Sequence, residues 1–437
     1  MSIGLTTILI FVVFLIFMAL ALPVAFSLFA SAMIFALIMI GPKSLYMLYS
    51  STYSTMTTEI FISIPLFVFM AFLIQFSGIA TALYDAMYKW FGPLRGGLAI
   101  GTVAICTLIA AMTGLGATGV VTMGVIALPE MLKRGYDKGL AVGCIPPGGA
   151  LGPLIPPSVP MIVTAAFARL SVGKMFIGGV IPGVLIAFFY CAYIAIRAYA
   201  NPKLAPALPR EEQANFREKL ISLRGVALPV ILVIFVIGSI YSGAATTTEA
   251  AGIGAVGAII CALIYRKFTW KNLKEAMLMT VKVNGMVMWL LAGGTCLGAL
   301  MGSTGISHWI SDALMNMPVS PLMIIITMQL VVFILGMFMD GASITVITIP
   351  LFMPVVVSLG FDPLWFCLLF TVNGICGYIT PPFGMNLFYM KGIAPKGISM
   401  DLVYRSVIPY VFIDVVVMIL CFFFPGILVW LPNMMAS

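Results

Sequence analysis

The stretch from Met112 to Pro157 recurs without a gap as Met337 to Pro382, 225 positions later. Gly116-Ala117-Thr118 returns as Gly341-Ala342-Ser343, Pro129 as Pro354, Gly135-Tyr136-Asp137 as Gly360-Phe361-Asp362, Gly152 as Gly377, and Pro156-Pro157 as Pro381-Pro382. What repeats is mostly Gly and Pro, residues that interrupt helices. They recur inside strongly apolar sequence, where lipid cannot satisfy the backbone groups an interruption frees. The chain therefore reads as two copies of one membrane unit. Broken helices duplicated at matching places point to a transport site.

Composition sets the class: 62% hydrophobic residues, 8% charged and a mean hydropathy of +1.17 exclude a soluble globular domain. Runs such as Ile3 to Ile40, Phe176 to Ile196, Val226 to Ile240 and Val407 to Leu431 meet the roughly 20 residues a span needs. The first is long enough for two spans, with Pro23 at the turn. No charged segment follows Met1, so the first span reads as retained rather than as a signal. The eight cysteines lie in apolar sequence with no close pair, which indicates packing rather than disulfides or a metal cluster. With one histidine, His308, no paired aspartates in spans and no Cys/His cluster, an intramembrane enzyme has no catalytic constellation to draw on. His308 falls in an outer loop and reads as incidental.

The net charge of +8 suggests nucleic acid only until its distribution is examined. Lys and Arg gather at Lys89 and Arg95, at Lys133, Arg134 and Lys138, at Arg197 to Arg224, at Arg266 to Lys282, and at Lys391, Lys396 and Arg405. The segments Ser303 to Leu322 and Ser358 to Leu364 contain none. By the positive-inside rule the former groups face the cytoplasm and the latter segments the outside. The first repeated segment is thus flanked by basic loops on both sides, the second by none. Each enters and leaves on one face, as a re-entrant hairpin, 97–132 from inside and 322–357 from outside. The fold expected is an all-α polytopic membrane protein of two inverted-topology repeats. Each repeat holds three spans, a re-entrant helical hairpin, a discontinuous span and a closing span. The first repeat covers 1–200 with its discontinuous span at 139–168, a cytoplasmic linker covers 201–225, and the second repeat covers 226–437 with its discontinuous span at 363–391. Both termini would face outward, and Lys43, Arg169 and Lys174 fall on the outer side, against the rule.

Two stretches, Lys43 to Glu59 and Phe268 to Asn284, mix aromatics with polar residues and read as interfacial helices. The linker, with Pro202, Pro206, Pro209 and Arg210-Glu211-Glu212, reads as a solvated connection. At the hairpin tips, 113–119 and 336–343, small residues let the chain reverse and aim carbonyls at a partner. The breaks are expected over Pro146 to Ser158 and Asn373 to Pro382. Freed carbonyls suit a bare cation, and half-helix amino termini an anionic substrate. The first cation site is expected at Thr113, Gly116, Thr118, Gly149, Gly152 and Ser158. The second is expected at Asp340, Gly341, Ser343, Asn373, Gly377 and Thr380, with substrate between them at Thr118, Asp340, Ser343, Pro157 and Pro382. Asp340 is costly in an apolar segment unless it binds something, is wet, or caps the following half-helix. Its counterpart is Leu115, so the two sites should differ chemically. Glu249 reads as a first-turn helix residue.

Gly149-Ala150-Leu151-Gly152-Pro153-Leu154-Ile155-Pro156-Pro157-Ser158, Thr246-Thr247-Thr248-Glu249-Ala250-Ala251, Met339-Asp340-Gly341 with Ile349-Pro350, and Gly377-Tyr378-Ile379-Thr380-Pro381-Pro382-Phe383-Gly384 resemble the large membrane subunit of TRAP transporters, the DctM-like family, over essentially the whole chain. Pro153 and Thr247 depart from the usual pattern. The resemblance implies sodium as coupling ion, with no other cofactor, and an elevator mechanism. It also implies a small four-helix membrane subunit and a periplasmic substrate-binding protein as partners, and import of an organic acid anion across the bacterial inner membrane. A stand-alone sodium–carboxylate symporter of related fold, working without a binding protein, is the alternative.

Overall fold

The structure, a computed structural model, describes residues 2–435 apart from Leu115 and Met317. The comparison of Leu115 with Asp340 therefore lies outside the described residues. Among those described the chain is helical, with no strand. Eight helices among the described residues are long and apolar enough to cross a membrane. The first apolar run is two helices, Ile3–Ala19 and Val24–Met39, with Pro23 immediately before the second. There its missing N–H breaks no helical bond.

Two helix pairs form hairpins, Gly97–Thr113 with Gly116–Lys133 and Pro321–Phe338 with Gly341–Ser358. A broken helix follows each. The first runs as Lys138–Gly143 and Ile145–Ala150, unwinds over 151–158 and resumes as Val159–Ala168. The second is Pro363–Ile379, unwound over 380–384 and resuming as Met385–Ile393. Their caps match: Asp137 accepts from Leu140 N at 3.0 Å and Asp362 from Leu364 N at 2.8 Å, each cap contributing about 1 kcal/mol. A cis Pro-Pro bond lies in both breaks, at Pro156-Pro157 and Pro381-Pro382. Long helices, Val172–Ala200 and Met400–Phe423, follow the two broken helices.

The unwinding is narrower than the Gly and Pro spacing suggests. Pro146 to Ala150 and Asn373 to Ile379, expected within the breaks, are helical. Pro146 and Pro147 stand in a first helical turn, where a missing N–H is harmless. Gly374 and Gly377 cost about 1 kcal/mol each in a helix, less than leaving backbone groups unbonded in an apolar interior.

The four pieces interlock across the halves. Val159–Ala168 packs on Gly341–Ser358 of the second hairpin, where the Thr164 and Thr345 hydroxyls are 3.0 Å apart. Met385–Ile393 packs on Gly116–Lys133 of the first. An outer layer is built from the remaining spans: Trp270–Ser303 lies against Val24–Met39 and Ser63–Phe76, and Ser63–Phe76 against Thr247–Ile264. Glu249 closes a capping box with Thr246, whose N–H it accepts at 2.8 Å.

Two expectations need correction. Ser44–Met56 is a separate helix, but the interfacial helix expected at 268–284 is the start of one 34-residue helix, Trp270–Ser303. No proline stands in that stretch, and its glycines, Gly285, Gly293, Gly294, Gly298 and Gly302, are each too weak a breaker to divide it. The linker is packed rather than merely solvated. Ala205 and Leu208 are buried, and the backbone of the strap bonds both feet of the first hairpin. Gly96 N donates to Ala205 O at 3.0 Å, Asp137 N to Leu204 O at 2.8 Å and Leu208 N to Gly92 O at 2.9 Å. Arg134, just past the second arm, pairs with Glu130 at 3.2 Å and with Glu212 of the strap at 2.6 Å.

Candidate functional site

The first tip sits on the first break. Thr113 ends the first arm, its hydroxyl donating to Ile109 O at 2.9 Å, and Gly114 turns the chain with φ of +63°. A side chain in that conformation costs about 1 kcal/mol. Here it also has no room: a Cβ on Gly114 would stand 2.8 Å from Pro157 O and 3.2 Å from Val159 N. Gly116 opens the second arm against Gly149, where a Cβ would lie 2.7 Å from Gly116 O. Gly152 is buried in the break, with its N–H donated to Gly149 O at 3.2 Å. Ser158 is fully buried; its hydroxyl donates to Pro153 O at 2.6 Å and caps Met161 N at 3.4 Å. Thr118 is half-buried in the second arm's first turn.

At the second tip Asp340 caps the second arm. Its Oδ1 accepts from Ala342 N and Ser343 N, both at 3.1 Å, and the Ser343 hydroxyl donates to its other oxygen. Gly341 N donates to Tyr378 OH at 2.6 Å, which ties the tip to the second broken helix. A Cβ on Gly341 would also lie 3.6 Å from Pro160, so this tip reaches the half-helix that follows the first break. The Thr380 hydroxyl, at the end of Pro363–Ile379, donates to Cys376 O. Pro382 is exposed and its carbonyl accepts from Tyr404 OH. Beside it the exposed rings of Phe338 and Phe383 lie 4.5 Å apart.

Thr113, Gly116, Gly149, Pro157 and Ser158 are thus brought together at the first tip, and Asp340, Gly341 and Ser343 at the second. Asn373 and Gly377 turn elsewhere. Asn373 Nδ2 donates to Gln329 O at 2.6 Å and to Gln329 Oε1 at 2.9 Å, and Gly377 packs on Gly336. Both partners belong to the first arm of the second hairpin. Because 373–379 stays helical, residues four apart share one face, and that face is turned to the arm.

Sequence reasoning missed Asn386. It is buried, its Nδ2 donates to Pro146 O at 3.0 Å, and its amide lies 3.6 Å from where a Cβ on Gly116 would stand. The available signal is a lone amide in an apolar half-helix just after the second Pro-Pro. Tyr378, which holds Gly341, reads in sequence as an ordinary aromatic in a span.

The hydroxyls of Ser343 and Thr380 have committed their protons, to a carboxylate and a carbonyl respectively, so each presents lone pairs only. That suits a cation. The amino ends of Gly116–Lys133, Val159–Ala168, Gly341–Ser358 and Met385–Ile393 all lie at the tips and breaks, and their partial positive charge suits an anion. One region therefore offers both kinds of partner.

The family model described as Tripartite ATP-independent periplasmic transporter, DctM component, matches residues 11–427. The C4-dicarboxylate TRAP transporter large permease protein DctM of Pseudomonas aeruginosa is 33% identical, over 91% of this chain and 92% of its own. The sialic acid TRAP transporter permease protein SiaT of Haemophilus influenzae is 26% identical, over 86% of this chain and 60% of its own. Among solved structures, the Alcanivorax borkumensis YdaH transporter matches with a TM-score of 0.63 over 89% of each chain at 13% identity, a likeness of fold.

Proposed function

Because the chain belongs to the DctM-component family of tripartite ATP-independent periplasmic transporters, we propose that it is the membrane subunit that imports an organic acid anion with sodium across a bacterial inner membrane. The observation that carries this reading is the seating of both hairpin tips on broken half-helices, Gly114 on Pro157 and Val159, and Gly341 on Tyr378 and Pro160. Sodium is held by oxygens at each tip, Asp340 contributing the one carboxylate, and the carboxylate of the solute meets the half-helix amino ends between them. The relatives named for C4-dicarboxylates and for sialic acid suggest a carboxylate as the common element of the substrates.

The Lys and Arg distribution supports inverted repeats with both termini periplasmic. A separate small four-helix subunit and a periplasmic binding protein complete the system. The interlocking of hairpins and broken helices across the halves supports an elevator mechanism, in which these pieces move as one against the outer layer. Ions and solute that bind the same closed arrangement favour the same step. A tenfold sodium gradient gives about 1.4 kcal/mol per ion, and about 2.3 kcal/mol attends each net charge moved at 100 mV. Two ions with a monoanion then give about 5 kcal/mol, enough for a roughly 5,000-fold gradient of solute.

The test is uptake into liposomes holding this chain and its small subunit, with the binding protein supplied outside and a panel of dicarboxylates and sugar acids. Uptake should require both sodium and the binding protein. Uptake that persists unchanged without sodium would refute the coupling.

A further inference from the structure

Five exposed basic side chains lie on two helices and the turn that leads into the second of them, at one rim of the outer layer, and among the described residues none is in an ion pair. Phe216–Tyr241 and Thr247–Ile264 are joined by residues 242–246, so the start of one helix lies beside the end of the other. Tyr265 OH donates to Arg224 O at 2.9 Å, which fixes that pairing. Residues 265–269 then turn the chain into Trp270–Ser303, held by Asn272 Nδ2, which donates to Lys267 O at 2.8 Å and to Phe76 O at 3.1 Å. Arg224, Arg266, Lys267, Lys271 and Lys274 are all exposed as a result.

Ion pairs are few on the molecule: Lys89 pairs with Asp85, Arg134 with Glu130 and Glu212, Arg405 with Asp401. At this rim none of the five takes part in an ion pair. The neighbouring Glu218 is turned to its own helix start, accepting from Asn215 N at 2.8 Å. Trp270, 76% exposed, stands among the five at the end of a membrane-spanning helix, the depth at which tryptophan favours the lipid interface. Arg266, like Ala21 and Arg169, is a non-glycine residue with positive φ. Its φ of +55° is a conformation suited to glycine, yet the chain carries a guanidinium there.

We propose that this rim binds the headgroups of anionic phospholipids, with Trp270 in the interfacial layer beside them. Net positive charge, five basic groups with Glu275 as the carboxylate on the same helix as Lys271 and Lys274, meets phosphate, and the surface is continuous with the lipid-facing sides of three spanning helices. The rim belongs to the layer against which the hairpins would move, so bound lipid anchors the fixed part.

The experiment titrates the full chain in detergent with phosphatidylglycerol or with phosphatidylcholine and counts bound lipid by native mass spectrometry. Phosphatidylglycerol should bind at least about tenfold more tightly. Each charge is worth about fivefold, so the triple variant Arg266→Gln, Lys271→Gln, Lys274→Gln should lose about a hundredfold. Arg266→Gly separates binding from folding: relaxing the turn keeps or raises the melting temperature, while phosphatidylglycerol binding falls about fivefold. Equal affinity for the two lipids, or a preference that survives the triple variant, overturns the proposal. So does displacement of the bound lipid by inorganic phosphate at equal concentration, or by the small membrane subunit, which would assign the rim to a protein contact.

Discussion

Replacing Gly377 by Ala adds one methyl group where two backbones touch. The helix Pro363–Ile379 crosses the arm Pro321–Phe338 at Gly377 and Gly336. The new Cβ would stand 2.5 Å from Gly336 C, 2.6 Å from its Cα and 2.8 Å from its O. Carbon atoms pack at about 3.5–4.0 Å, so the helices must part by about 1 Å. Every atom met first is backbone, so no rotamer change relieves the clash. Overpacking of this kind costs about 1–3 kcal/mol, and the upper end applies here. Alanine returns about 1 kcal/mol of helix propensity, which leaves a net loss of about 2 kcal/mol. Gly374, three residues earlier in the same helix, has nothing within 4 Å of its Cβ direction. Gly374→Ala therefore only gains propensity, up to about 1 kcal/mol. Thermal unfolding of the purified chain in detergent should place Gly374→Ala at or above the wild type and Gly377→Ala clearly below it. Gly377→Ala melting as high as Gly374→Ala would mean that the crossing is not a backbone contact.

Asp340→Asn should melt within about 0.5 kcal/mol of the wild type, since Asn caps as well as Asp, whereas Asp340→Ala loses about 1 kcal/mol. In the proposed reading both lose sodium-dependent uptake, so comparing melting with uptake separates the cap from the ion ligand. Leu208→Ala should cost about 2 kcal/mol or more, because Leu208 is buried against Gly92. A melting temperature unchanged from wild type would mean the strap is a free linker.

Helical class and membrane character are legible because they rest on composition and run length, which no tertiary contact overrides. The interruptions are legible where proline acts, at residues 156–157 and 381–382, because proline removes a donor whatever surrounds it. Glycine carries less information. Gly149, Gly374 and Gly377 look like breakers in sequence and are helical in the structure, two of them placed where a neighbouring backbone comes too close for a side chain. The strap is illegible for another reason. Its bonds to Gly92, Gly96 and Asp137 are made by backbone atoms, which polar, proline-rich composition does not reveal. Asn386 escapes notice because its partner, the carbonyl of Pro146, lies 240 residues away.

The two halves use the same parts differently, and the difference bears on how the proposed sites act together. In the first half the close glycine crossing joins the second arm to the broken helix, Gly116 to Gly149; in the second it joins the first arm, Gly336 to Gly377. The first tip presses on backbone alone at Pro157 to Val159, while the second carries a carboxylate and is held by a tyrosine hydroxyl. An ion at the second tip therefore meets a charge already engaged in capping and must compete with two N–H groups and a serine for Asp340. At the first, in the proposed reading, it meets carbonyls, hydroxyls and the Asn386 amide, and no carboxylate. The half-helices cross over, Val159–Ala168 to the second hairpin and Met385–Ile393 to the first, so each hairpin is packed on a segment of the other half. In the proposed mechanism occupancy of the neutral site thus reaches the charged one through Val159–Ala168, by the contact of Thr164 with Thr345, at 3.0 Å.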